Sequence, residues 1–207
     1  MLTLLAILGA LAVGVVSPGP SFVLVARTAV AVSRRDGVAA AIGMGVGGVV
    51  FAALVLAGLQ ALLQSVGGLY LALKVAGGIC LLYLGVNLWR AAPRALEAGT
   101  GATRTTGLCR SFALGLATQL SNPKTAVVNG SVFAALLPPA PDAALLVALP
   151  PLIFVLEAGW YALVALLLSS ERPRAAYLRA KTAIDRSAGA VMGGLGLRLI
   201  VEAGRRP

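Results

Sequence analysis

Charge is scarce in this chain. Only 12% of its 207 residues are charged and 59% are hydrophobic, whereas ordinary globular chains carry about 25% charged and about 45–50% apolar residues. Histidine is absent, and cysteine occurs only as Cys80 and Cys109, with no CxxC. Imidazole metal sites and dithiol redox centres therefore have almost nothing to build on, so neither a metal nor a cofactor is expected. Acidic residues number 7 against 17 basic ones, an excess that in a water-soluble chain would point to nucleic acid. Here the basic residues fall between long apolar blocks and read as topology signals, so no nucleic-acid partner is expected.

Those apolar blocks set the class. Leu2 to Ala26 and Val38 to Leu73 contain no charged side chain, and each exceeds the roughly 20 residues that cross a bilayer as a helix. The chain reads as an all-α integral membrane protein, multi-pass in a lipid bilayer. The opening run from Met1 to Val16 lacks the basic start of a secretory signal and continues into more apolar sequence, so it is read as a retained membrane helix.

Six spans are predicted, near Leu2–Val32, Gly37–Leu63, Leu69–Trp89, Phe112–Leu137, Ala143–Leu168 and Ser187–Val201. The first and fourth are longer than a straight crossing needs and carry proline motifs inside them, which predicts broken helices. Basic residues gather between spans one and two (Arg34, Arg35), three and four (Arg90, Arg94, Arg104, Arg110) and five and six (Arg172, Arg174, Arg179, Lys181, Arg186). The connections 64–68 and 138–142 hold none. Lys and Arg favour the cytoplasmic side, which puts the three basic connections inside and both termini outside, with Arg205 and Arg206 as a mild dissent.

The chain reads as one membrane domain over 1–207, with one unit over about 1–90, a cytoplasmic loop over about 91–109 and a second unit over about 110–207. Lys74-Val75-Ala76-Gly77 in span three resembles Arg186-Ser187-Ala188-Gly189 in span six, and Ser17-Pro18-Gly19-Pro20 in span one matches Ser121-Asn122-Pro123-Lys124 in span four. Three spans per unit makes the second copy inverted. Inverted repeats with discontinuous helices build midplane binding sites in secondary transporters.

The candidate chemistry lies at those breaks. Proline has no N–H, so Pro18 and Pro20 are expected to strand the carbonyls of Gly14 and Val16, and Pro123 that of Gln119, while Gly19 lets the backbone bend. In hydrocarbon such carbonyls need protein, water or a solute as partner. Three charged residues fall within spans, Arg27, Lys124 and Glu157, each costing roughly 2.5–3.5 kcal/mol to insert and each a functional hypothesis by default. Glu157 is the sharpest: a carboxylate in low dielectric is a candidate proton carrier and attracts an ammonium group. It could equally form an ion pair with Arg27 or Lys124, and Arg27 could snorkel towards the surface beside Arg34. Asn122, Asn129 and Ser131 add uncharged polar groups to span four. The glycines at 43, 45, 47 and 48, with Gly189 and Gly193, make small faces suited to close helix packing.

Ser17-Pro18-Gly19-Pro20 with the downstream Val25-Ala26-Arg27, then Arg34-Arg35-Asp36-Gly37, Leu82-Tyr83-Leu84-Gly85 and Leu120-Ser121-Asn122-Pro123-Lys124 together resemble the LysE/RhtB family of bacterial amino-acid exporters. The resemblance covers nearly the whole chain. It implies a six-span protein of the bacterial inner membrane that expels amino acids or related small zwitterions, exchanges them for protons and assembles as a homodimer. Carried onto this chain, it marks Pro18, Gly19 and Pro20, the basic position Arg27, and Asn122, Pro123 and Lys124. The chain departs from the pattern at Gly47-Gly48, where the resemblance implies an acidic residue in span two; Glu157 would then serve alone.

The reading that results is an alternating-access exporter with its substrate among Pro18, Gly19, Pro20, Arg27, Asn122, Pro123, Lys124, Asn129 and Glu157. Three other readings stay open: an exporter of a metal or other ion, weakened by the missing histidine and the single intramembrane acid; a thiol-redox electron conduit, which needs Cys80 and Cys109 to meet; and a non-transporting partner protein.

Overall fold

The computed structural model describes residues 2–65, 69–93 and 107–204. Among these residues the chain is all helix, with eight helices and no strand: α1 Leu2–Val16, α2 Pro20–Ala31, α3 Arg34–Ser65, α4 Leu69–Ala91, α5 Leu108–Leu120, α6 Pro123–Leu136, α7 Ala143–Leu168 and α8 Glu171–Gly204. Arg94 and Arg104 with most of the 91–109 loop, the end of the 64–68 connection, and Arg205 and Arg206 lie outside the described residues.

By length and composition α3 (over Arg34–Gly58) and α7 can each cross a membrane, and α1 with α2 forms a third apolar span bent by 57°. Both proline motifs fall where one helix ends and the next begins, between α1 and α2 and between α5 and α6. Pro20 opens α2 and Pro123 opens α6, the first-turn position where a missing N–H costs nothing and the ring presets the backbone. The Asn122 side chain caps α6 by accepting the Lys124 backbone N–H at 3.0 Å. Proline alone does not divide a helix, since α7 runs on through Pro150 and Pro151.

One carbonyl expected to be freed at the breaks has a main-chain partner. The Gln119 carbonyl, expected to be stranded by Pro123, accepts the Asn122 backbone N–H at 3.2 Å, a tighter terminal turn of the kind that often closes a helix. At the first break it is the Ser17 carbonyl that takes a distant partner, the Lys124 ammonium at 2.7 Å. Helix termini leave several unsatisfied carbonyls, and side-chain reach decides which one is used.

Glycine sets the closest helix crossings. A Cβ on Gly85 of α4 would stand 2.6 Å from both the Gly189 carbonyl and the Gly193 nitrogen of α8, and one on Gly189 would stand 2.7 Å from the Gly85 carbonyl. On α3, Gly43 faces the Phe112 carbonyl of α5, while Gly45 faces Phe154 and Ala158 of α7. Such backbone-to-backbone approach supplies the dispersion contacts that hold helices together where lipid removes the hydrophobic driving force.

Two buried apolar clusters result. One joins Ile7 and Leu11 of α1, Val132 and Phe133 of α6 and Leu149 and Ile153 of α7; the other joins Phe22 and Val25 of α2, Met44 of α3 and Tyr161 and Val164 of α7. Along the first span and along α7 the polar residues fall between the two clusters. Contacts also gather the basic connections at one end: Arg34 donates to the Ser170 hydroxyl at 3.2 Å, and the Ser111 hydroxyl donates to Asp36 at 2.8 Å. Helix α8 starts at Glu171, well before the predicted Ser187, so Lys181 is not a solvated loop cation. It is buried and paired with Asp185 at 2.8 Å, one turn along the same face, where opposite charges at this spacing meet.

Candidate functional site

A small cavity lies between the two breaks. Ser17, Gly19 and Ser21 from the first break, Gln119, Asn122, Lys124 and Asn129 from α5 and α6, and Glu157 and Tyr161 from α7 line it. Its volume is about 20 Å³, room for about one water. Of the residues expected to form a site, Gly19, Asn122, Lys124, Asn129 and Glu157 meet here. Pro18, Pro20 and Pro123 shape the breaks without lining the space, and Arg27 does not line it.

The first polar chain ends on the acid. Asn122 Nδ2 donates to Ser21 Oγ at 2.8 Å, Ser21 Oγ donates to Gln119 Oε1 at 2.7 Å, and Gln119 Nε2 donates to Glu157 Oε2. Each hydroxyl or amide passes on a donor in turn, and the last of them is accepted by a Glu157 oxygen. The chain ties the α6 cap, α2, α5 and α7 together. Glu157 is 3% exposed and is bonded by an amide, so the ion pair with Lys124 is not the arrangement found.

The second chain begins at the cation. Lys124 Nζ donates to the Ser17 carbonyl, and the same residue's Oγ donates to Asp185 Oδ1 at 3.2 Å. Asp185 is 4% exposed. Between the two chains, Asn129 Nδ2 donates to the Thr125 carbonyl at 3.0 Å, which leaves its Oδ1 buried and without a partner among the described residues. A buried acceptor left unmade is costly, and Asn129 is one of the residues that line the cavity.

The α3 glycines explain how Glu157 fits. A side chain on Gly47 would collide with Gln119, and one on Gly48 would fall on the Glu157 carboxylate. Bare α3 backbone thus forms the floor beneath the Gln119–Glu157 bond.

Sequence reasoning missed Ser21, Gln119 and Asp185, and gave Ser17 no role beyond its motif. The serines flank the proline motif and could have been taken with it. Asp185 lies in a basic stretch, and its signal was the spacing Lys181-x-x-x-Asp185. Gln119 carried no local signal. Cys80 and Cys109 are both free and exposed, on α4 and α5, so the thiol-conduit reading lacks its pair. Among the described residues no three acidic or sulfur ligands cluster as a metal site would require.

A multi-pass helical bundle with two interrupted helices facing a buried polar cavity has the build of a solute transporter. Comparison with known sequences gives the particular family: the model described as LysE type translocator matches residues 12–203, and the chain belongs to that family. It is 33% identical over 192 residues to the threonine efflux protein of Salmonella typhi, covering 92% of this chain and 93% of that one. The threonine efflux protein of Escherichia coli K12 is 32% identical over the same shares, and an uncharacterized membrane protein of that organism is 28% identical over 90% of this chain and 83% of the relative. No solved structure matches the chain. The protein is a multi-pass inner-membrane transporter and not an enzyme.

Proposed function

We propose that the chain exports threonine or a similarly small neutral amino acid in exchange for protons. The observation that carries this reading is one cavity, between two helix breaks, holding one cation and one acid: Lys124 and Glu157. A zwitterion presents the complementary pair of charges. Its carboxylate replaces the Ser17 carbonyl on Lys124, aided by the positive N-terminal end of α6. Its ammonium is taken by Glu157, the Ser17 carbonyl it has displaced and the unpartnered Asn129 Oδ1. The hydroxyls and amides of Ser21 and Asn122 suit a side chain that hydrogen-bonds.

A cavity of about 20 Å³ is too small for an amino acid, so loading parts the two breaks. The matched proline breaks of α1–α2 and α5–α6 support six spans arranged as two inverted three-helix units that rock about this site, with the basic connections on the cytoplasmic side. A proton arriving from outside neutralises Glu157, weakens its hold on the ammonium and releases the substrate there. Return with the proton restores the carboxylate, so one substrate leaves as one proton enters. A homodimer fits the same reading.

The test is efflux of labelled threonine from vesicles holding the purified protein, with and without an imposed pH gradient. Gradient-stimulated efflux supports the proposal. Efflux indifferent to the gradient removes the proton step, and no efflux of any neutral amino acid removes the reading.

A further inference from the structure

The buried Lys181–Asp185 pair on α8 has no part in the scheme above, yet it is one residue away from the site. Its carboxylate is bonded by the Ser17 hydroxyl, and the Ser17 carbonyl holds Lys124. Ser17 thus stands between a cation and an acid, the hydroxyl donating one way and the carbonyl accepting the other. On its far side the pair is anchored: Lys181 Nζ and Thr182 Oγ1 each donate to the Ala92 carbonyl at 3.2 Å, at the end of α4.

Burying two charges is expensive, and a buried pair is weak evidence for stability on its own. It has a use if it sets where a third charge rests. We propose that Asp185 is a positioning residue for Lys124: through Ser17 it holds the ammonium on the main-chain carbonyl while the site is empty, and the hold yields only to a substrate that brings a carboxylate. This rests on the proposed function for the identity of the substrate but not for the positioning. Asp185, itself paired with Lys181, fixes Ser17 through its hydroxyl, and the Ser17 carbonyl keeps Lys124 until a substrate carboxylate takes the ammonium over.

Two measurements on purified full-length protein separate the parts. The first needs no transport: lysine acylation by a small permeant anhydride, read residue by residue by mass spectrometry, with Lys124 normalised to Lys74. Asp185→Asn and Ser17→Ala each raise Lys124 labelling about threefold or more, because the ammonium is no longer held, whereas Asp185→Glu labels like wild type. The second is threonine efflux from vesicles with threoninamide, which lacks the carboxylate, as competitor. Asp185→Asn lowers KM and maximal rate for threonine together by about threefold, since a Lys124 no longer kept on the Ser17 carbonyl binds the carboxylate tighter and lets go more slowly, while inhibition by threoninamide is unchanged. Unchanged Lys124 labelling in Asp185→Asn overturns the positioning role whatever the fluxes show. Altered labelling with threonine and threoninamide shifted alike overturns the carboxylate requirement. Altered labelling in the variants, together with a wild-type protein that carries no amino acid, upholds the positioning and defeats the proposed function instead.

Discussion

The Glu157 carboxylate of α7 occupies the space where a side chain on Gly48 of α3 would have to stand. Acid and glycine are therefore one feature: the carboxylate can be buried against α3, within reach of Gln119, because nothing projects from the backbone there. Gly47, facing Gln119, completes the floor.

Gly48→Ala tests that fit directly. The added methyl must displace the carboxylate from Gln119, and overpacking of this kind costs about 1–3 kcal/mol. A lowered melting temperature in detergent and loss of most threonine efflux are expected. A variant as stable and as active as wild type would show that the carboxylate has room elsewhere.

Glu157→Gln keeps the shape and removes the charge. Because coupling in the proposed cycle needs a carboxylate that gains a proton outside and loses it inside, the variant is expected to lose stimulation by an inward proton gradient. Threonine–threonine exchange, which needs no net proton movement, should persist at reduced rate. Gradient-stimulated efflux of wild-type size in this variant would place the proton on another group.

Lys124→Met removes the carboxylate partner while keeping the length of the side chain. Losing one charge-assisted contact should raise the threonine KM by about tenfold or more, with little change in competition by threoninamide. Equal weakening of both ligands would mean that Lys124 shapes the cavity and does not read the carboxylate.

Gly189→Leu addresses the scaffold. The α4–α8 crossing brings the Gly85 carbonyl to 2.7 Å from any Cβ at position 189, so no rotamer relieves the clash and the two backbones must separate. Gel filtration of the purified variant is expected to show aggregation or failure to accumulate. Cys80→Ser with Cys109→Ser, both at exposed positions, should leave efflux and stability within about 0.5 kcal/mol of wild type. Loss of efflux in the double serine variant would revive a thiol mechanism.

Composition and proline placement were enough to determine the all-helical membrane class and the two interruptions, because hydropathy and the missing proline N–H act locally and do not depend on what packs nearby. They also pointed to Lys124, Asn129 and Glu157, since a polar group in an apolar run is conspicuous wherever it lies. The partners were a different matter. That Glu157 would accept from Gln119, that Lys124 would rest on the Ser17 carbonyl, and that Lys181 and Asp185 would be buried beneath it were decided by helices crossing at positions 38 to 168 residues apart. Those distances depend on glycine contacts between α3, α5 and α7 and between α4 and α8, and no local pattern of residues encodes which small face meets which.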